Sequence, residues 1–493
     1  MTAPAIEPRS RPAAASGRFL GAALADLSAD FEELRFLCRS ATAKLDEASV
    51  ELRAASLYEP TRELLIGQLV SSRVRYHGIV ERLCSLQERA RCEAPSATLL
   101  GELAAEKASL ADLLRVEQGL MAALVGAADW QSPSFLHSRA PAAGRQGGRI
   151  RAHWNDYKRD RHLDGDAYER RYLPAMVDGP AGLQALLTTC GMAAFTTVLS
   201  FLSLERKLAG PVIAAAGLYH ESRLLLERTL PGRVRFVDER DTSALLRAIE
   251  QLRPSAIFVD SLSNTKWMPV PELAAVIERL RGSDTYLVVD NTCLSVSCQP
   301  FALAEESVRL IVFESLLKYA QLGLDRANAG VIVARADDAE RLSGYREHLG
   351  TNVPDVAVHA LPQPNRRVLE HRLARLQRNA LILAERLRER SPDSVEIVYP
   401  GCGACLSIVF HDRDGRLDRE HALLEAAVRE AANRGAALIG GSSFGFDTSR
   451  IYLTAAGAEC GEPFVRVAAG TEHRLELETL AEALAAAVEV VAR

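Results

Sequence analysis

The sequence predicts an α/β protein in three parts: an all-α helical region, a mostly parallel sheet with helices on both faces, and a smaller C-terminal α/β unit. Three observations carry this prediction. Apolar residues recur at three- and four-residue spacing from Phe19 to Gly126. Between residues 212 and 335, short apolar runs alternate with helical patterns, as strands buried on both faces do. From Arg341 the texture changes to a long Leu/Arg helical run and then to further strands.

Along the chain, residues 1–18 are rich in Ala, Pro, Ser and Arg without an apolar period, and read as a disordered tail. Residues 19–130 read as three or four amphipathic helices, with Phe31, Leu34, Leu37 and Cys38, then Leu64, Leu65 and Leu69, then Leu110, Leu113 and Leu114 as the recurring apolar positions. Proline breaks the pattern at Glu59-Pro60 and at Ala94-Pro95-Ser96, and the short connections predict an antiparallel bundle. Residues 131–150 lack a period and have the Ser, Pro, Ala and Gly content of a linker. In 151–340, strands are expected at 212–216, 234–238, 256–260, 285–290, 310–315 and 330–335, with helices such as 243–252 and 271–281 between them. Residues 341–493 are expected to hold a helix over 366–390, strands near 395–410 and 450–453, and helices at 419–434 and 474–492, as a smaller domain.

Composition narrows the function. Fifty-nine basic residues against 64 acidic give a net charge of −5, and no dense Lys/Arg stripe exists to hold a polyanion, which argues against nucleic-acid binding. No run of eighteen apolar residues predicts a membrane span, and the amino terminus has charge but no apolar core of a signal peptide, so a cytoplasmic location is expected. Nine cysteines, scattered and odd in number, fit a reducing compartment. Cys402 and Cys405 have CxxC spacing, but no second pair or histidine cluster accompanies them, and no metal site is predicted.

Ligand groups in an open α/β sheet collect at the carboxyl ends of the strands. Here those ends carry Asp260-Ser261-Leu262-Ser263-Asn264, Asp290-Asn291-Thr292 and Glu314-Ser315, with Lys318-Tyr319 just beyond and Tyr219-His220 after another strand. Cys190-Gly191-Met192 opens a helix, where free backbone N–H groups can seat a phosphate. Lysine, aspartate, an aromatic and a phosphate seat on neighbouring strand ends describe a pyridoxal 5'-phosphate pocket. The chain has only six lysines, which singles out Lys318.

Eight ordered blocks sharpen this: Tyr157-Lys158-Arg159, Cys190-Gly191-Met192-Ala193-Ala194, Leu218-Tyr219-His220-Glu221, Ser263-Asn264-Thr265, Asp290-Asn291-Thr292, Ser315-Leu316-Leu317-Lys318-Tyr319, Ser442-Ser443-Phe444-Gly445, and Arg466 through Glu472. In these the sequence resembles the cystathionine γ-synthase (Cys/Met metabolism) family of pyridoxal-phosphate enzymes, over roughly residues 150–493. The resemblance implies a fold type I transferase with a mostly parallel seven-stranded sheet. It makes Lys318 the Schiff-base lysine and proton shuttle, Tyr219 the ring-stacking catalytic residue, and Asp290 the partner of the pyridine nitrogen. Asn264 would bond the cofactor's phenolic oxygen, and Gly191, Met192 and Ser315 its phosphate. Tyr157 and Arg159 would reach the neighbouring subunit's phosphate site, implying a homodimer or homotetramer with shared active sites. Arg466 would grip the substrate carboxylate through its fork, with Ser442 also at the substrate. The implied chemistry is γ-replacement or γ-elimination on activated homoserine, cystathionine or S-adenosylmethionine, through a vinylglycine-type quinonoid intermediate, with a second small-molecule substrate as nucleophile.

The chain departs from the family pattern at Leu317, Ala320-Gln321 and His220-Glu221, and the helical region of about 130 residues has no counterpart in it. These departures favour a specialised biosynthetic step, with carbon–carbon bond formation among the outcomes. Two alternatives stand beside it: β-elimination or γ-lyase action on a thioether amino acid, and a non-catalytic sensor or scaffold.

Overall fold

The computed structural model describes residues 19–54, 58–128, 145–146, 149–150, 163–411, 417–454 and 463–492. It opens with three long helices, α1 (Leu20–Ala54), α2 (Glu59–Cys92) and α3 (Ala97–Ala128). Proline stands in the first turn of α2, and the Ser96 hydroxyl accepts the Leu99 amide at the head of α3. Phe31, Leu37, Leu45, Leu83, Leu103 and Leu114 fill the bundle, where Tyr76 donates to Gln118 at 3.2 Å. Arg75 pairs with Glu117 and Arg82 with Glu106, the falling register of an antiparallel pair. A short antiparallel pair follows, β1 (Arg145–Gln146) with β2 (Arg149–Ile150).

The next elements are α4 (Leu163–Met176), β3 (Leu183–Thr188), α5 (Gly191–Leu204), β4 (Val212–Ala215), α6 (His220–Thr229), β5 (Val234–Val237), α7 (Thr242–Leu252) and β6 (Ala256–Asp260). After these come α8 (Leu273–Arg279), β7 (Tyr286–Asp290), α9 (Pro300–Leu303), β8 (Arg309–Ser315), β9 (Gly330–Arg335), α10 (Ala336–Leu349) and α11 (Asp355–Ala360). Their strands form one seven-stranded sheet in the order β3-β9-β8-β7-β6-β4-β5, in which β9 alone runs against its neighbours. Successive residues supply opposite faces: Ile213, Ile257 and Leu287 enter one core, while Val212, Phe258 and Val288 enter the other. Burial on both faces is why these strands read as unbroken apolar runs.

The chain ends with α12 (Arg366–Arg390), β10 (Val395–Val398), β11 (Cys405–Phe410), α13 (Asp418–Asn433), β12 (Ile439–Gly440), β13 (Arg450–Thr454), β14 (Phe464–Ala468) and α14 (Arg474–Val491). A five-stranded sheet, β10-β11-β14-β13-β12, encloses a separate apolar core with α12, α13 and α14. The sequence patterns lead to six of the large sheet's strands and do not anticipate β3 or β14. The helix expected over 271–281 is shorter because Pro271 precedes its first turn and Gly282, at φ +68°, turns the chain away. Position 340/341, taken as a domain boundary from the sequence, falls inside α10, whose Ala339 and Leu342 share a core with Phe195 and Val198 of the large sheet's α5.

Candidate active site

The large sheet delivers most of the site directly. Asp290 is the last residue of β7 and Ser315 the last of β8, Lys318 follows three residues later, and Gly191 and Met192 open α5. Tyr219 precedes α6, Asn264 lies four residues beyond β6, Arg466 comes from β14 of the other sheet, and Ser442 from the segment between β12 and β13. All nine line one cavity of about 740 Å³. Tyr157 and Arg159 lie outside the described residues.

Lys318 Nζ donates to the Ser443 hydroxyl at 2.7 Å and stands 5.4 Å from the centre of the Phe444 ring. Burial, and after it the nearby Arg466 guanidinium, lowers the basicity of this amine. Arg466, 8% exposed, donates to Asn264 Oδ1 at 2.8 Å, so the Asn264 carbonyl fixes the guanidinium and its amide nitrogen remains as the donor.

Asp260 and Asp290 are register neighbours on parallel β6 and β7. Burial pushes the Asp290 carboxyl up to about 6, against the stabilising hydrogen bonds from Thr292, whose N–H reaches Asp290 Oδ1 at 2.9 Å. Asp260 is raised well above the usual carboxylate range, by burial first and by Asp290 second. Its Oδ2 accepts the Tyr219 N–H at 2.9 Å and so sets the turn that carries the tyrosine. Burial, then the Glu221 charge and hydrogen bond, hold the Tyr219 phenol protonated well above its ordinary value. Both oxygens of buried Glu239 accept the Gly217 N–H at 3.2 Å, and the Ser263 hydroxyl also donates to this carboxylate.

The anion seat is built by close approach. A Cβ on Gly191 would lie 2.7 Å from Ser315 Cβ, so only glycine lets the start of α5 press against β8. Cys190 Sγ accepts the Ala193 N–H at 3.3 Å, and the amides of Gly191 and Met192 belong to the turn that has no intrahelical acceptor. The Thr292 hydroxyl accepts the Ser315 N–H at 2.9 Å and links this seat to the Asp290 turn.

These residues fit pyridoxal phosphate: amides and a hydroxyl for its phosphate, a buried carboxyl of raised pKa for its ring nitrogen, a phenol at its face and an amine for its aldehyde. Ser443, Asp260, Glu239 and Thr292 were not assigned roles from the sequence. Ser443, Asp260 and Thr292 act through hydrogen bonds to residues that were, whereas Glu239 bonds Gly217 and Ser263, which stand beside the Tyr219 and Asn264 motifs. Among the described residues no cluster of three or more His, Cys, Asp or Glu side chains is placed to hold a metal ion. No described helix is long and apolar enough to cross a membrane.

Fold and site together define a fold type I pyridoxal-phosphate enzyme. The model of the family described as Cys/Met metabolism PLP-dependent enzyme matches residues 125–419, and the chain belongs to that family. Solved structures agree on the fold. Cystathionine gamma synthase from Xanthomonas oryzae pv. oryzae, in complex with cystathionine, is 22% identical with a TM-score of 0.55, covering 70% of this chain and 90% of its own. CalE6, a methionine gamma lyase from Micromonospora echinospora, is 22% identical with a TM-score of 0.55, covering 67% and 88%. Among curated proteins, the bifunctional enzyme flvA of Aspergillus flavus is 25% identical over 323 residues, 62% of this chain. The match spans 39% of that relative's length.

Proposed function

We propose that this chain catalyses γ-replacement or γ-elimination on an amino acid bearing a leaving group at Cγ, in a specialised biosynthetic step. Activated homoserine, cystathionine and S-adenosylmethionine are the donor candidates, with carbon–carbon bond formation among the replacements. The observation that carries the reading is the Lys318 amine, held by Ser443 in a cavity that also presents Arg466 and Tyr219. Bound pyridoxal phosphate supplies an electron sink for charge developing at the substrate's α-carbon. Arg466 holds the substrate carboxylate through its fork, with Asn264 fixing the plane of that fork. Lys318 Nζ, made less basic by burial, takes the α-proton and carries a second proton at Cβ, after which a group on Cγ can leave. Tyr219 stays protonated and supplies a hydroxyl donor rather than a base. We also propose that Tyr157 and Arg159 serve the neighbouring subunit's phosphate seat, which makes the working unit at least a dimer.

The test is the visible absorption of purified protein with added pyridoxal phosphate, wild type beside Lys318→Ala, followed by each donor with its leaving group assayed. Wild type should show a visible band that Lys318→Ala lacks, and one donor should change that band and lose its Cγ group. A wild type that stays colourless after reconstitution refutes the cofactor reading. Release of a β-substituent alone refutes the γ assignment.

A further inference from the structure

The helical bundle meets the rest of the chain through buried arginines, and one of these leads to Lys318. Glu33 of α1 accepts from Arg372 Nη1 at 2.5 Å. The Arg372 side chain is fully buried, and its Nη2 donates to the Gly445 carbonyl at 2.9 Å and to Asp447 Oδ1 at 2.8 Å. Gly445, at φ +90°, packs directly on the backbone of Lys318: a Cβ there would overlap the Lys318 carbonyl oxygen and lie 2.7 Å from its carbon. Two residues earlier, Ser443 holds φ +76°, a conformation that serine adopts only when its surroundings impose it, and offers its hydroxyl to Lys318 Nζ at 2.7 Å. The loop after Lys318 is tied to the same point, because a Cβ on Gly323 would come within 2.8 Å of Arg372 Nη2 while Arg115 of α3 donates to the Gly323 carbonyl at 3.4 Å.

We propose that Glu33 is a positioning residue of the active site: through Arg372 it fixes the 443–447 loop that presents Ser443 to Lys318, so the added helical bundle is a working part of the catalytic centre. This rests on the reading of Lys318 as the cofactor lysine. Without the Glu33 carboxylate, Arg372 Nη1 loses its ionic partner, and the guanidinium is left paired with the loop's own Asp447, with the Asp30 charge acting on it without a direct bond. The guanidinium then follows the loop instead of anchoring it. Asp26, which pairs with exposed Arg378 and caps Arg474, docks the same bundle without touching this loop, and provides the control.

The experiment uses the full chain, with exchange measured at pH 8, above the value of about 7 to which burial pushes Glu33 against the opposing pull of Arg372. Two readouts are taken: amide exchange of residues 441–447 in the cofactor-free protein, and the pH midpoint of the visible band after pyridoxal phosphate is added. Ser443→Ala removes the acceptor nearest the protonated Lys318 nitrogen and should move the midpoint down. Glu33→Gln should move it the same way and speed exchange in 441–447 by about tenfold, with partial recovery in Glu33→Asp and neither effect in Asp26→Asn. If Glu33→Gln does not fold, Glu33→Asp carries both readouts, with smaller changes in the same sense. Exchange and midpoint in Glu33→Gln matching those of Asp26→Asn would overturn the proposal. A band retained in Lys318→Ala would instead overturn the cofactor reading, and exchange in the cofactor-free protein would still report whether Glu33 holds the loop.

Discussion

Replacing Glu314 with glutamine should stabilise the protein, and more so as pH rises. Glu314 sits in β8 beside the site, buried, accepting a hydrogen bond from the Ser295 hydroxyl at 2.6 Å and another from Tyr172. Burial pushes its carboxyl from the ordinary 4.5 up to about 8, and the Asp290 charge adds to this against the two hydrogen bonds. The folded state therefore holds the proton more tightly than the unfolded chain does. The neutral group's contribution is fully present below pH 4.5 and is lost as pH rises toward and through 8. At about 1.4 kcal/mol per pH unit, ionising the buried carboxyl costs at most about 5 kcal/mol by pH 9. Glutamine keeps the shape and never ionises. Thermal unfolding of the cofactor-free wild type and Glu314→Gln at pH 5, 7 and 9 should show the variant gaining steadily on wild type. Parallel pH profiles would mean that Glu314 ionises without cost in the folded state, and would refute the reasoning.

Two further outcomes follow from the site's geometry. Gly445→Ala forces a Cβ onto the Lys318 carbonyl at a backbone φ of +90°, so it should cost about 2–4 kcal/mol in denaturant unfolding and weaken the visible band together with it. Arg466→Lys keeps the charge but gives up the fork and the bond to Asn264; it should raise the KM for the amino-acid donor about 10- to 100-fold in steady-state assays, with a smaller change in kcat.

Much of the architecture was legible because strands buried on both faces leave continuous apolar runs, and β4, β6, β7 and β9 are of that kind. β14 was not, because its FVRVA segment places Arg466 in mid-strand, where a charge interrupts the apolar pattern. Arg466 itself was found from its motif, and the strand explains how it reaches Asn264 from the second sheet. Ser442 and Ser443 are indistinguishable in sequence. The structure shows both at the cavity and gives the lysine contact to Ser443, through a positive φ that no residue pattern encodes. Asp260 was visible as a strand end without a role, since its bond to the Tyr219 amide joins positions 41 residues apart. Glu33 was invisible as a participant, because its partner Arg372 lies 339 residues downstream.

That separation has a consequence for biosynthesis. During synthesis the acidic face of α1, with Asp26, Glu33 and Asp30, the last also paired with Lys107 of α3, leaves the ribosome long before the arginines of α12 that it meets. At about 5–20 residues per second, some 340 residues of delay amount to about 20–70 s. Throughout that interval the bundle's docking face stays in water, and its carboxylates favour hydration over premature burial against nascent strands. The charges that end buried at the bundle's interface thus begin as a solubilising surface, and the bundle can seat fully only once the arginines of α12 have been made.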